Sequence, residues 1–240
     1  MDDLLAAFGS AVALIVRADP DLVEIVLLSL RVSLSALVLA SLVGIPVGAA
    51  LAVTRFPGRR ALVVVLNGLM GLPAVVVGLL VYLLLSRSGP LGALGWLFTP
   101  RAIIIGQAVL VTPLVAALSR QVLEDHWAEY RETLRSLGAR GARALGSLVF
   151  EARYSLMTTL LAGFGRAIAE VGSAIIVGGN IAHATRVMPT AIALETSRGD
   201  LPLALGLGLV LIALTVAANG AAQLIQELAR RVEGLEDVGA

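Results

Sequence analysis

The hydrophobic residues of this chain fall into five long apolar windows separated by polar stretches. The windows lie at about residues 32–53, 62–85, 102–123, 155–177 and 201–224. Each has roughly 20 residues and few charges, the length that an α-helix needs to cross the hydrocarbon core of a bilayer. The first window begins earlier, near Leu22, if Glu24 and Arg31 lie at the membrane interface. The pattern predicts about five transmembrane helices.

The first 21 residues form a separate segment ahead of these windows. Its apolar run, LLAAFGSAVALIV, has about a dozen residues and is too short to span a bilayer. Asp2 and Asp3 stand where a signal peptide would carry positive charge, and Asp19 precedes a proline that ends the run. We expect an interfacial helix in residues 1–21, with a sixth, short span as the less favoured alternative. A transmembrane domain then covers residues 22–228, and residues 229–240 form a cytoplasmic tail.

Composition narrows the architecture to a helical bundle. Hydrophobic residues make up 58% of the chain, charged residues 15%, and the mean hydropathy is +0.93. Soluble domains carry fewer apolar and more charged residues. Aromatic residues amount to only 4%, whereas a membrane β-barrel carries aromatic girdles. The expected fold class is an all-α, multi-pass membrane protein of the plasma (inner) membrane.

Arginines are distributed unevenly between the two ends of the predicted spans. One side receives eleven of them: Arg55, Arg59, Arg60, Arg120, Arg131, Arg135, Arg140, Arg143, Arg153, Arg230 and Arg231. The other side receives five: Arg17, Arg87, Arg101, Arg186 and Arg198. Short cytoplasmic segments are enriched in positive charge. The bias predicts an extracytoplasmic N-terminus, a cytoplasmic C-terminus and a long cytoplasmic loop at about residues 124–154.

Two residue types, lysine and cysteine, are missing from the sequence. Without lysine the chain cannot form the GxxxxGK[ST] phosphate loop of ATPases. Without cysteine it has no thiol nucleophile and no thiolate metal site. The two histidines, His126 and His183, lie in different predicted loops on opposite sides, which disfavours a shared metal site. We expect no cofactor, metal ion or catalytic residue in this chain and no nucleic-acid partner. If ATP drives the protein, another chain must bind it.

The predicted long loop contains a polar, arginine-rich helix, EYRETLRSLGARGARALG, at residues 129–146. Tyr130, Leu134 and Leu137 fall at i, i+4 and i+7 on one helical face, and Gly138 is placed to end the helix. One interpretation is a solvated connector with Glu132 and Arg135 as an i, i+3 ion pair. The other is a docking helix whose apolar face presses into a partner.

Three segments resemble one family of membrane proteins. Glu132-Thr-Leu, with Gly138 six residues after the glutamate, resembles the cytoplasmic EAA loop of ATP-binding-cassette importer permeases. In that loop Glu-Ala-Ala precedes a glycine at the same spacing, and here threonine and leucine replace the two alanines. GFGRAIAEVGSAIIVGGNI, residues 163–181, resembles the matching segment of the oxyanion-importer permeases. Residues 185–208 resemble most closely the tungstate permeases of that group.

The resemblance implies a type I permease that works as a homodimer with two cytoplasmic ATPase subunits and an extracytoplasmic substrate-binding protein. ATP and magnesium would be bound by the ATPase subunits. The helix of the EAA loop would couple closure of the ATPase to the spans, and its residues here are Tyr130, Glu132, Leu134, Leu137 and Gly138. The implied substrate is an oxyanion, with tungstate first, then molybdate and sulfate.

Arg166 and Glu170 are ionisable residues inside the fourth window, where a charge costs about 2.5 to 3.5 kcal/mol. Their i, i+4 spacing allows an ion pair that faces the bundle interior. Arg166 could instead supply positive potential to a passing anion, or the pair could help to gate the pathway. Ser173 in the same window and Asn67 in the second window are further candidates for pathway residues.

Glycine and proline residues predict where the spans pack closely or break. Gly44 and Gly48 form a GxxxG pattern in the first window, which is typical of close helix contact. Gly68, Gly71 and Pro73 are placed to break the second window.

Two other function classes remain open at this point. An ion-coupled secondary transporter would carry more intramembrane carboxylates, and inverted repeats of discontinuous helices, than this sequence shows. An intramembrane enzyme would need a nucleophile with a base, and Ser173 has no histidine or lysine nearby in the sequence. Co-purification with an ATPase subunit would distinguish an importer permease from both.

Overall fold

The computed structural model describes residues 2–136 and 142–236, and within them the chain is helical without a strand. Its helices are α1 (Asp2–Val16), α2 (Pro20–Val53), α3 (Arg59–Leu69), α4 (Ala74–Leu85), α5 (Pro100–Ser136), α6 (Ala142–Glu151), α7 (Arg153–Ile168), α8 (Gly172–Gly178), α9 (Met188–Arg198) and α10 (Leu201–Glu236). A short 3-10 helix, Gly92–Leu94, lies between α4 and α5. The predicted all-α class is confirmed.

Three helical segments are long and apolar enough to cross a membrane by themselves: Pro20–Val53, Pro100–Leu134 and Leu201–Glu227. Two pairs of shorter helices, α3 with α4 and α7 with α8, pass the same test together, each pair interrupted by a break of at most four residues. The described residues therefore hold three to five candidate spans, which is consistent with the five predicted windows. The first span begins at the earlier of its two predicted starts.

The N-terminal helix α1 is short, because its apolar part, Ala6–Val16, is below the length of a span. Asp19 then starts α2. Its side-chain oxygen accepts hydrogen bonds from the backbone N–H groups of Asp21 and Leu22, at 3.1 and 3.2 Å. An interfacial position for α1 stays a prediction.

The chain divides into two compact units that interleave along the sequence. The first unit contains the chain up to Ala36, Leu72–Leu110 and Arg166–Val216. The second contains Leu37–Gly71, Val111–Gly165 and the chain from Ala217. Each unit has a hydrophobic core of its own. Four of the five boundaries fall within α2, α5, α7 and α10, so these helices contribute residues to both units, and the fifth lies in the break between α3 and α4.

In the first unit, α4 packs closely against α8. The core around them includes Val77, Ile103 and Val177, each at most 2% exposed. A Cβ atom on Gly78 of α4 would lie only 2.9 Å from the Cα atom of Ser173 in α8. The two helices can approach this closely because position 78 carries no side chain.

A tight turn connects α8 to α9 in the same unit. Gly179 and Asn180 adopt left-handed backbone conformations, with φ of 72° and 50°. Thr185 donates a hydrogen bond from Oγ1 to the carbonyl oxygen of Gly178 at 2.6 Å. The hydroxyl of Thr190 lies 2.9 Å from Oδ1 of Asn180. These bonds fix the turn and the loop that follows it.

In the second unit, α2 packs against α5 through the predicted GxxxG pattern. A Cβ atom on Gly48 would lie 2.6 Å from the carbonyl oxygen of Ala116 and 2.8 Å from the backbone nitrogen of Arg120. A Cβ atom on Gly44 would lie 2.9 Å from Cγ1 of Val115. Backbone atoms cannot move aside as the end of a flexible side chain can. The prediction of close helix contact at these glycines is confirmed.

The second predicted window is broken where glycine and proline predicted a break. α3 ends at Leu69 and α4 begins at Ala74. Pro73, in the extended conformation, is the N-cap of α4. Proline lacks the N–H group that a helix interior donates and disfavours a helical conformation of the residue before it, which favours a break at this position.

Candidate functional site

The ion pair predicted inside the fourth window is present. Nη1 of Arg166 contacts the carboxylate oxygen Oε2 of Glu170. The side chain of Glu170 is 5% exposed, whereas that of Arg166 is 39% exposed. A carboxylate removed from water is costly unless it is paired and hydrogen-bonded. The pair is thus a half-exposed cation that holds a buried anion.

The fourth window is not one continuous helix, since α7 ends at Ile168 and α8 begins at Gly172. Glu170 lies in the break between them. Its second oxygen, Oε1, accepts hydrogen bonds from the backbone N–H groups of Gly172 and Ser173, at 2.9 and 3.3 Å. The carboxylate therefore satisfies the first N–H groups of α8 as well as the guanidinium of Arg166. Its role at the helix start is a structural one that the i, i+4 spacing did not indicate.

Ser173 is fully buried directly after this break. A Cβ atom on Gly106 would lie 3.4 Å from its Oγ atom, so α5 passes close to the hydroxyl. Within the described residues, neither Oγ of Ser173 nor Oε1 of the buried Gln107 has a hydrogen-bond partner. Buried polar atoms without a partner are rare in proteins. This part of the first unit therefore has unused hydrogen-bonding capacity beside the ion pair.

Asn67, the remaining predicted pathway residue, lies on α3 in the second unit and is exposed. Arg166, Glu170 and Ser173 all belong to the first unit. The structure thus brings together three of the four predicted pathway residues and assigns the fourth to the other unit.

The loop predicted at about residues 124–154 is largely helical. α5 continues to Ser136. The description resumes at Ala142, where α6 begins, and α6 extends to Glu151. His126 therefore lies in a helix rather than in a loop. Its ring stacks on that of Tyr130, with a centroid distance of 6.3 Å.

Glu132 and Leu134 lie in the last described turns of α5. The side chain of Glu132 is 85% exposed, and its Oε1 atom lies a loose 3.9 Å from Nη2 of Arg131. Leu134 is half-buried. The carboxylate of Glu132 is therefore accessible to another protein. Leu137 and Gly138, the other predicted residues of this segment, lie outside the described residues.

A carboxylate of the second unit bridges two arginines and was not among the predicted site residues. Oε1 of Glu124 lies 2.6 Å from Nη2 of Arg59, and Oε2 contacts Nη1 of Arg120. The i, i+4 spacing of Arg120 and Glu124 is visible in the sequence. Nothing in the sequence marks Arg59 as the other partner, because the two residues are far apart along the chain.

A similar arrangement occurs in the first unit. The buried Oε1 atom of Glu195 lies 3.5 Å from Nη1 of Arg186 and 3.2 Å from Nη1 of Arg198. Here too the i, i+3 partner, Arg198, is visible in the sequence and the distant partner is not. A buried carboxylate requires such partners, so this bridge ties the loop before α9 to the helix itself.

His183 lies in the loop between α8 and α9, where it contacts the start of α2. Nδ1 of His183 is 2.8 Å from Oε2 of Glu24, and both side chains are exposed. The hydrogen bond to Glu24, and the negative charge of that carboxylate, raise the pKa of His183 above its ordinary value of 6.5. Asp21 acts in the same direction and Arg186 opposes it. Asp21, Glu24 and His183 hold possible ligand atoms within 4.8 Å of one another, but the neighbouring Arg186 disfavours a cation there.

The titration of His183 can be measured directly. We expect a midpoint above pH 6.5 in the folded protein and a lower midpoint in the Glu24→Gln variant. Because the folded-state pKa is raised, the contact stabilises the fold fully below pH 6.5 and loses this effect as the pH rises through the raised pKa. An NMR titration of histidine-labelled protein checks this, with His126→Asn to assign the signals. A midpoint that Glu24→Gln leaves unchanged would contradict the interpretation.

The family described as "binding-protein-dependent transport system inner membrane component" matches residues 44–231 of the chain. The tungstate uptake system permease protein TupB of Peptoclostridium acidaminophilum is 39% identical over 95% of this chain and 100% of its own length. The probable anion ABC transporter permease protein of Haloferax volcanii is 40% identical over 82% of this chain and 88% of its own length. TupB of Campylobacter jejuni is 35% identical over 91% of this chain and 92% of its own length. Permeases named for sulfate and molybdenum are similar at 24–31% identity over 74–75% of this chain.

Proposed function

The chain belongs to the family of binding-protein-dependent transport system inner membrane components, and on that basis we propose that it is the permease subunit of an ATP-binding-cassette importer for tungstate. It is a multi-pass membrane protein and a transport component rather than an enzyme. The observation that carries the substrate is the nearly full-length similarity to permeases named for tungstate uptake in two organisms. The sulfate and molybdenum permeases are less similar and cover less of the chain.

An importer of this family works with ATPase and substrate-binding partners. Since the sequence has no lysine, a phosphate loop of the GxxxxGK[ST] type must belong to another chain. We assign ATP and magnesium to that ATPase subunit. We further propose that two copies of this permease assemble with two ATPase subunits. This stoichiometry is the one that the resemblance to importer permeases implies.

The C-terminal end of α5 is our proposed docking site for the ATPase. The exposed carboxylate of Glu132 and the apolar side chains of Tyr130 and Leu134 lie there, and the resemblance adds Leu137 and Gly138. α5 is one helix from Pro100 to Ser136, and most of it is apolar enough to span the membrane. A displacement of its end by the ATPase would therefore move the spanning part of the same helix.

Arg166, Glu170 and Ser173 are our proposed pathway residues. The guanidinium of Arg166 is the half-exposed member of its pair and would supply positive potential to a divalent anion. Glu170 would fix the end of α7 relative to the start of α8, because its carboxylate contacts the side chain of Arg166 and the backbone N–H groups at the start of α8. The hydroxyl of Ser173 has no hydrogen-bond partner among the described residues, and a rearrangement of the break would make it available as a donor.

Anion preference tests the substrate. The full assembly, reconstituted in proteoliposomes with its own binding protein, is expected to take up labelled tungstate in preference to molybdate, and molybdate in preference to sulfate. Tungstate and molybdate share charge and shape, so the difference between them should be smaller than the difference from sulfate. Initial uptake rates at limiting concentration of each anion measure this, with vesicles lacking the binding protein as the control.

The same experiment separates the alternatives. Preference for molybdate would leave the protein an oxyanion importer permease and change its proposed substrate from tungstate to molybdate. Preference for sulfate, or for an uncharged or cationic solute, would overturn the substrate assignment. Uptake that proceeds without an ATPase subunit and follows an ion gradient would instead indicate a secondary transporter.

A further inference from the structure

A cavity of about 620 Å³ lies in the second unit, and neither the proposed docking site nor the proposed pathway explains it. It is enclosed by the end of α2, the start of α3 and the part of α5 that follows the apolar window. Its lining includes four arginines and two aromatic residues: Arg55, Arg59, Arg60, Arg131, Phe56 and Trp127.

The cavity is strongly positive. Its lining has four guanidinium groups and a single carboxylate, that of Glu124. Both oxygens of Glu124 are already engaged, one by Arg59 and the other by Arg120. Arg55 and Arg60 are exposed, and no other lining residue is acidic to balance their charge. The geometry therefore favours an anionic ligand.

The backbone at the start of α3 adds to the positive potential of the cavity. Gly58 turns the chain into the helix with φ of 90°, and no side chain caps the helix there. Gly58, Arg59 and Arg60 all line the cavity, so the positive end of the helix dipole lies beside the guanidinium groups. Guanidinium groups and a helix N-terminus together suit the oxygens of a phosphate group.

The position of the cavity along the helices indicates the level of lipid headgroups. The apolar part of α2 ends at Val53, two residues before Arg55. The apolar sequence window of α5 ends near Leu123, directly before the Glu124 that lines the cavity. Trp127 is of a residue type that concentrates at the membrane interface. On the other side of the arginines, α3 continues with exposed apolar side chains such as Val64 and Val65, at 70% and 56% exposure.

We propose that this cavity binds the phosphate group of an anionic phospholipid, on the side of the membrane predicted to be cytoplasmic. The arginines and the start of α3 hold the phosphate, and the apolar side chains of α3 lie along the acyl chains. A free phosphate ion shares the first interaction but not the second. An acidic segment of the ATPase is the competing occupant, since Arg131 lies next to the proposed docking residue Glu132.

The test is lipid binding by the purified full-length permease in detergent, measured by native mass spectrometry with added phosphatidylglycerol or phosphatidylcholine. Removing two surface arginines should weaken binding of phosphatidylglycerol on the order of tenfold or more, so we expect that loss in Arg55→Gln/Arg60→Gln. The matched control is Arg143→Gln/Arg153→Gln, which removes the same charge from two exposed positions outside the cavity and should bind the lipid as the wild type does.

Four results would overturn the proposal. The first is an equal loss of phosphatidylglycerol binding in both double variants, and the second is binding of phosphatidylcholine by the wild type as strong as its binding of phosphatidylglycerol. The third is displacement of the lipid by millimolar inorganic phosphate. The fourth is loss of ATPase co-purification in Arg55→Gln/Arg60→Gln while lipid binding stays intact. The last result would assign the cavity to a protein partner. Both arginines are exposed, so the variant should fold; if its thermal midpoint falls, Arg55→Lys/Arg60→Lys keeps the charge and should retain the lipid.

Discussion

Reversing the charge of Glu132 is expected to abolish ATP-driven uptake by the assembly while the permease still inserts into the membrane. The side chain is 85% exposed and its ion pair with Arg131 is a loose 3.9 Å contact, so Glu132→Arg should change the stability of the permease little. At the proposed ATPase interface, however, a like-charge contact costs several kcal/mol. Affinity for the ATPase should then fall by about 100-fold or more, and uptake with it. Co-purification of the ATPase and uptake of labelled tungstate measure the two effects.

A charge reversal elsewhere on the same predicted side is the matched control. Glu227 is exposed on α10, and Glu227→Arg changes the net charge by the same amount without touching α5. Its uptake should equal that of the wild type. Gly138→Trp, chosen from the sequence alone, should reproduce the loss seen with Glu132→Arg. Normal uptake by Glu132→Arg would show that this end of α5 is a solvated connector.

The spans were predictable because apolar length is a local property. Five windows of about 20 apolar residues correspond to three long helices and two broken pairs. The break between α3 and α4 was also predictable, since Pro73 carries its own backbone constraint. So was the close packing at Gly44 and Gly48, where an added Cβ would meet α5 within 3 Å. In each case the cause lies in the residue itself and its immediate neighbours.

The break between α7 and α8 was not predictable in the same way. Residues 155–177 read as a single apolar window, and no proline interrupts them. The break depends on Glu170, whose carboxylate satisfies the first N–H groups of α8. A glutamate in an apolar window is compatible with an ion pair, a proton relay or a helix cap, and only the backbone conformation shows which contacts form. Ion pairing with Arg166 was foreseen and the cap was not.

Contacts between residues far apart in the sequence also could not be predicted from the sequence patterns. The pairing of Glu124 with Arg59, and of Glu195 with Arg186, depends on how helices meet in space. The same holds for the division into two units, since four of its five boundaries fall inside helices and one lies in the break between α3 and α4. Composition and periodicity describe each helix by itself, so they cannot place one helix against another. The cavity beside Arg55 was for this reason visible only in the structure.

Replacing Arg166 alone is expected to destabilise the permease more than replacing both members of its ion pair. In Arg166→Leu the carboxylate of Glu170, only 5% exposed, loses its cation while it remains buried. Breaking a buried pair in this way costs about 3 to 5 kcal/mol, and the 39% exposure of Arg166 indicates the lower end of that range. In Arg166→Leu/Glu170→Gln no buried charge remains. The amide oxygen can still accept the N–H groups of Gly172 and Ser173, so the start of α8 keeps its cap.

Thermal unfolding of the purified permease gives the stability order, and uptake then separates a structural pair from a functional one. Glu170→Gln alone is the control: it leaves the half-exposed Arg166, which water can solvate, and should be the mildest of the three changes. We expect the double variant to unfold at a higher temperature than Arg166→Leu and to transport little tungstate, because the positive charge proposed for the pathway is gone. Uptake at the wild-type rate would show that the pair only holds the break between α7 and α8. A double variant no more stable than Arg166→Leu would show that the buried carboxylate does not need its cation.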